Sequence, residues 1–274
     1  MGDMTQIADH DRGLAFDLAT LGRRRLLTLL GGTGLAVLTG CATADQTGSS
    51  PPGTSAAGTT TTGAAAACGE ETPQETAGPY PGDGSNGPNV LTESGIVRGD
   101  IRSSFGTSST TAKGVPLTIE LTILDSGKGC AAMSGAAVYL WHCDIDGKYS
   151  LYSQGVTNEN YLRGVQETDA QGKVTFTSIF PAAYSGRWPH IHFEVYPSLV
   201  EATKAGNPTK TTQLALPEDV CTKVYATDGY SQSVRNLARS SLDTDNVFSD
   251  GHDTQLAAVA GSTSGYTASL TVRV

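Results

Sequence analysis

Residues 68–274 are predicted to form one all-β domain, a β-sandwich with short helical excursions. Three observations carry this expectation. Apolar runs in this stretch are short and rich in β-branched residues. Asp, Gly, Asn and Pro clusters separate them, as tight turns require. Helix signals are confined to 217–238, where Pro217-Glu218-Asp219 puts proline in a first turn and acids at the positive end of the helix dipole.

In chain order, residues 1–40 read as an export address. Arg23-Arg24-Arg25 precedes a thirteen-residue apolar run, 26–38, too short for a stable membrane span but suited to a signal-peptide core. The arginines followed by Leu26-Leu27 resemble a twin-arginine signal, and Leu38-Thr39-Gly40-Cys41 resembles a bacterial lipobox. Cys41 is therefore the expected lipidation site. A lipid there would hold the protein at the extracellular face of the bacterial cell membrane, with membrane contact only through that anchor. Residues 41–67 are almost entirely Thr, Ala, Gly, Ser and Pro after the cysteine. They are expected to form a flexible tether with a reach of roughly 30 Å.

The remainder, 68–274, is long enough to bury one sizeable core. Acidic and basic residues balance within 1–40, four of each, so the net charge of −9 stays with the mature chain. An acidic surface argues against nucleic acid as a partner and against direct adhesion to anionic lipid. Beyond Cys41, the cysteines are Cys68, Cys130, Cys143 and Cys221. An even number in an exported chain predicts two disulfides, with three pairings open. A fold-back of residues 131–142 would join Cys130 to Cys143 and leave Cys68 for Cys221. No two of these cysteines are spaced to chelate a metal.

Strands are predicted at 95–101, 116–124, 136–143, 172–179, 190–196 and 266–274. The turns Asp144-Ile145-Asp146-Gly147-Lys148 and Asp169-Ala170-Gln171-Gly172 supply Asp and Gly where positive φ is needed. No internal repeat is present. The run His190-Ile191-His192-Phe193-Glu194-Val195-Tyr196 alternates like a half-buried strand, which puts both imidazoles on one face, close enough to hold one ion. Tyr184 and Arg187 lie just upstream in a Gly- and Pro-punctuated loop. Alone, a His-x-His pair is more often two histidines on the wet face of an antiparallel strand. Its neighbours shift that balance.

Four segments, in order, resemble the intradiol ring-cleavage dioxygenases, a family that includes catechol- and protocatechuate-cleaving enzymes. They are Thr72-Pro73-Gln74-Glu75-Thr76-Ala77-Gly78-Pro79-Tyr80, the stretch from Gly135 through Trp141-His142-Cys143 to Tyr149-Ser150, the hairpin Thr168-Asp169-Ala170-Gln171-Gly172-Lys173, and Pro181-Ala182-Ala183-Tyr184 with Arg187 and His190-Ile191-His192. The stretch 225–248 also resembles exported members. The resemblance implies a ferric ion held by Tyr149, Tyr184, His190 and His192. Fe(III) is a hard cation that favours anionic oxygen and accepts imidazole, and two phenolates lower its formal charge from +3 to +1. The partners implied are a small aromatic diol and O2, with the ring cut between its two hydroxyl carbons to a muconate-type diacid. Tyr184 takes the family's part of the ligand that leaves the metal as substrate binds and accepts a proton, and Tyr149 the permanent one. Arg187 stands where the family has an arginine beside the substrate ring, able to stabilise negative charge developing there.

Two features depart from the family. The interval from Tyr184 to His190 is shorter than in its soluble members, which alters a pocket wall. The N-terminal helical region through which catechol-cleaving relatives dimerise has no counterpart, so the resemblance does not carry their quaternary structure over, and the oligomeric state stays open. Among the other candidates, His142 is expected to be structural, His252 solvent-exposed, and Tyr161 a core or pocket residue; His10 lies in the address. A non-catalytic binding or adhesion head that kept the fold would need none of this set. A zinc or copper site on the histidines leaves both tyrosines unexplained.

Overall fold

The computed structural model describes residues 68–274; the expected signal, the Cys41 lipidation site and the tether lie outside them. Among the described residues, nine strands form two sheets. The first contains β1 (Pro116–Asp125), β2 (Ala131–Ala132), β5 (Lys173–Ile179), β8 (Ala258–Ser262) and β9 (Gly265–Arg273). In it β1 pairs antiparallel with β2 and β5 on one side and parallel with β9 on the other, and β8 flanks β9. The second runs in the order β4 (Arg163–Glu167), β3 (Ala137–Trp141), β6 (His190–Tyr196), β7 (Lys210–Ala215), all antiparallel. The all-β sandwich expected from the sequence is what the chain forms.

Alternation fills the space between the sheets. Leu117, Ile119, Leu121 and Ile123 of β1 face Val138, Leu140, Ile191, Phe193, Val195 and Leu214 of the second sheet in one apolar core. The second sheet is also covered on its outer face. There Ala137, Tyr139, Trp141 and Tyr196 pack with Val90, Leu91 and Ile96 of the lead-in and with Tyr149 and Tyr184. Every residue of β3, β6 and β7 is consequently buried. The half-buried pattern expected for 190–196 is corrected accordingly. His190 and His192 face away from the core between the sheets, into this second layer, and not into water.

Three helices follow β6: α1 (Leu199–Thr203), α2 (Glu218–Tyr225) and α3 (Ser231–Leu237). The last two occupy the predicted excursion, with Glu218 and Asp219 in the first turn of α2 and Lys223 in its last. α2 buries Val220, Cys221, Val224 and Tyr225 against the core between the sheets. Among the described residues, no helix is long and apolar enough to cross a membrane.

The predicted strand at 95–101 is an extended segment held by isolated bridges, Val97 with Val165 and Asp100 with Thr177. The cysteine pairing also differs. Cys68 bonds Cys130 across a Cα–Cα distance of 5.1 Å, while Cys143 and Cys221 are free and buried. Position explains the outcome. Cys130 sits in the turn after β1, beside the lead-in, whereas Cys143 lies in the covered layer with its sulfur 3.6 Å from the Ala182 carbonyl oxygen. Cys221 points from α2 into the core. Burial pushes both free thiols well above the ordinary range, so they are poor nucleophiles. Opening the bridge that spans 62 residues, by Cys68→Ser with Cys130→Ser, is expected to cost about 2–4 kcal/mol in urea unfolding.

Candidate metal centre

The His pair, the two tyrosines and the arginine picked out from the sequence meet on the outer face of the second sheet. His190 Nε2 is 3.1 Å from His192 Nε2, 3.1 Å from Tyr184 Oη and 3.4 Å from Tyr149 Oη. Arg187 Nη1 is 3.5 Å from the same nitrogen. All five side chains are buried, Tyr184 being the most exposed at 8%.

Each donor is placed by a separate local device. β6 supplies both imidazoles, and the carbonyl oxygen of Trp188 accepts from His190 Nδ1 at 2.5 Å. A carbonyl can only accept, so Nδ1 carries the proton and Nε2 offers its lone pair to the cluster. His192 stacks on Trp141, centroids 5.0 Å apart and planes within 5°. Tyr149 follows a turn in which Asp144 Oδ1 accepts from the backbone N–H groups of Asp146 and Lys148, both at 2.9 Å. Gly147 closes that turn at φ 77°, and a Cβ there would lie 3.0 Å from Tyr184 Cβ, so conformation and crowding both demand glycine. The loop bearing Tyr184 is held from the helical excursion. Ser233 Oγ accepts from the Ala183 N–H, Asn236 donates to the Ala183 carbonyl, and Tyr225 and Tyr230 donate to the carbonyls of Pro181 and Phe180.

The environment works against charge on both imidazoles and on the Tyr149 phenol. Burial holds His190 and His192 well below the usual imidazole range, helped by Arg187 for His190 and by His190 for His192. Burial, followed by Tyr184, pushes Tyr149 well above the usual phenol range. Neutral imidazoles suit metal ligation; a phenol so placed ionises only when a cation compensates. Spacing fits one ion as well. Ligands bound at about 2.0–2.1 Å around a first-row ion lie about 3.0–3.4 Å from their neighbours, and the distances from His190 Nε2 fall in that interval. His192 Nδ1 is buried without a partner. Among the described residues no three His, Cys, Asp or Glu side chains cluster, so anionic donors here are phenols.

A dioxygenase family model matches residues 86–223, half of the chain. The chain belongs to the intradiol ring-cleavage dioxygenases. No curated protein matches this chain in sequence. Among solved structures it is similar to an intradiol ring-cleavage dioxygenase from Tetranychus urticae, at 24% identity, TM-score 0.55, covering 66% of this chain and 87% of that one. The dioxygenase Tetur07g02040 matches at 24% identity and TM-score 0.54, with the same coverages. The dioxygenase domain of a carbohydrate-binding fusion from Streptomyces sp. SirexAA-E matches at 22% identity and TM-score 0.48, covering 75% and 98%. The first two of these likenesses show the fold.

The other candidate residues are structural. His142 bonds Ser178 Oγ at 2.7 Å and the Cys143 carbonyl at 2.8 Å, and burial lowers it to about 4. Tyr161 is buried and donates to Asp144 Oδ2 at 2.9 Å. His252 is half-buried, correcting the exposed position expected, because its Nδ1 meets the Phe248 carbonyl at 3.2 Å. Sequence reasoning missed Gln213, which accepts from Arg187 Nη2 at 2.6 Å, and Asp245, which pairs with Arg187. Neither carries a local signal.

Glu75, in the lead-in, lies buried in the same polar layer. Burial first, then Asp250, raises it from 4.5 to about 7. The folded state thus keeps a proton that the unfolded chain releases. Its contribution to stability is complete below pH 4.5 and disappears as pH rises through about 7. Glu75→Gln is expected to remove about 1–3 kcal/mol of that slope, read from urea midpoints at pH 5 and pH 8.

Proposed function

We propose that this chain is a non-haem Fe(III) dioxygenase that opens a catechol-type ring between its two hydroxyl carbons, using O2. The product is a muconate-type diacid. The observation that carries the reading is the convergence of Tyr149 Oη, Tyr184 Oη and His192 Nε2 with His190 Nε2. These four would hold the iron, and Cys41 would tether the enzyme outside the cell. When bound, ferric iron supplies a Lewis acid and template that favours the catechol dianion and makes its ring electron-rich.

The chain's own residues do the remaining work. The Trp188 carbonyl keeps His190 in the tautomer with a bare Nε2. Trp141 holds the His192 ring by stacking. Tyr184, on a loop and less buried than Tyr149, is the donor suited to exchange. Its oxygen accepts the second hydroxyl proton of the diol, while Tyr149 stays in place. The Arg187 guanidinium, buried beside His190, faces negative charge as it develops on the ring. A covered layer of aromatic side chains excludes bulk water. The disulfide between Cys68 and Cys130 is consistent with work in an oxidising compartment.

The decisive experiment is a visible spectrum of the iron-loaded protein before and after anaerobic addition of catechol. A tyrosinate-to-Fe(III) band that moves to longer wavelength is expected. A protein that stays colourless after iron reconstitution overturns the reading.

A further inference from the structure

The family match ends at residue 223, yet a residue well beyond it reaches the site. Asp245 lies between α3 and β8 and is 0% exposed in its side chain, as Arg187 is 1% exposed in its own. Asp245 Oδ2 accepts from Arg187 Nε at 3.0 Å and from the Trp188 backbone N–H at 2.7 Å. Oδ1 lies 3.4 Å from Arg187 Nη2 and accepts from the backbone N–H groups of Val247 and Phe248 at 2.9 and 3.3 Å. Gln213 Oε1 takes Nη2 from the other side at 2.6 Å. With Nε and Nη2 so engaged, the planar guanidinium has one orientation, and Nη1 is the nitrogen turned to His190 Nε2.

We propose that Asp245 is a positioning residue for ring cleavage, fixing the Arg187 guanidinium so that Nη1 faces the Tyr149, Tyr184 and His190 donors. The inference rests on the proposed function and adds a residue to it from outside the matched region. The carboxylate is fixed in turn by backbone donors on both sides, so it transmits the position of the 245–248 turn to the site. A free guanidinium buried beside two imidazoles would otherwise swing toward any available acceptor. Asparagine cannot substitute. Both oxygens of Asp245 face only N–H donors, so an amide NH2 on either side meets donors.

The test compares wild type, Asp245→Asn, Arg187→Ala and Arg187→Ala with Asp245→Asn. In iron-loaded protein acting on catechol, Asp245→Asn is expected to lower kcat about 100-fold, as misplacement of a stabilising group does, with iron content and the tyrosinate band retained. In the Arg187→Ala background the same change is expected to alter kcat by no more than about twofold. An equal loss in both backgrounds means that Asp245 acts independently of Arg187, and overturns the proposal. So does a kcat for Asp245→Asn within about threefold of wild type. If Asp245→Asn does not fold, Arg187→Ala with Asp245→Ala, which removes both charges, replaces it. A kcat about tenfold or more below Arg187→Ala alone then overturns the proposal. An iron-free readout separates this proposal from the function it rests on. The Arg187 Nε–H proton resonance, assigned by its loss in Arg187→Ala, is expected downfield and slow to exchange in wild type. Wild type that holds iron but cleaves no catechol overturns the proposed function; a fast-exchanging Nε–H overturns the pairing.

Discussion

His192→Ala is expected to strip the protein of iron and to lower ring cleavage by at least about 100-fold, beyond the 10- to 100-fold that loss of an outer partner costs. The argument starts from the tautomer. Trp188 fixes a proton on His190 Nδ1, so a bare nitrogen points at His192 Nε2 only 3.1 Å away. Without a cation, such an arrangement gains little for the fold, and His192 leaves its other nitrogen buried and unpaired. The iron-free variant should therefore lose much less stability than it loses metal affinity. That contrast marks a group retained for binding and not for packing. Tyr149→Phe and Tyr184→Phe keep their rings and remove one oxygen each, so they should shift or bleach the visible band. Iron per chain and oxygen uptake with catechol check the prediction. Iron at wild-type stoichiometry in His192→Ala would remove it from the ligand set.

Arg163→Ala is expected to destabilise the domain by about 3–5 kcal/mol, the largest effect on stability of any change considered. Arg163 begins β4 and is 1% exposed. Nη1 donates to the Pro81 carbonyl at 2.7 Å and to Tyr139 Oη at 3.0 Å. Nη2 donates to the carbonyls of Tyr80 and Ser150, each at 2.9 Å, and Nε to Ser150 Oγ at 3.0 Å. One side chain thus ties the lead-in and the loop after Tyr149 to the edge of the second sheet. Removing it strands several buried acceptors at once, and each costs about 1–3 kcal/mol when unpaired. Lysine, with one nitrogen and three donors, should recover part of the loss. The Tyr149 band should move too, because Ser150 and Tyr80 flank that ring. Urea unfolding of the three proteins measures this. A loss below about 1 kcal/mol for Arg163→Ala would contradict it.

Legibility in the sequence followed the origin of burial. β1, β6 and β9 alternate because one face of each meets the core between the sheets, and those strands were predicted within a residue or two. β4, β7 and β8 gave no such pattern. Lys210 at the head of β7 is buried by Glu71 and the Thr72 carbonyl, contacts made across 138 or more positions. Arg163 in β4 is buried by carbonyls from the lead-in. Periodicity cannot report burial that arrives from a distant segment. The site divides similarly. Tyr149, Tyr184, Arg187 and the His pair were readable from motifs, while Ser233, Asn236, Gln213 and Asp245 act through long-range contacts with no local spacing to betray them. The cysteines misled for the same reason. Their separation along the chain suggested a fold-back, but sheet layering decides which sulfurs meet.

The parallel pairing of β1 with β9 sets the order of assembly. Eight registered positions, from Leu117 with Tyr266 to Leu124 with Arg273, join strands about 150 residues apart. β9 is an interior strand of its sheet, flanked by β1 and β8. A ribosome must therefore release nearly the whole domain before β1 can acquire its neighbour on that side. Until then β1 and β5 present an apolar face with no finished partner sheet edge beside it, a state prone to misassociation. Relative contact order of this kind predicts folding in milliseconds to seconds, after synthesis and not during it. Any residue that terminates the chain short of β9 should yield an insoluble product, even though every proposed iron donor has already been made.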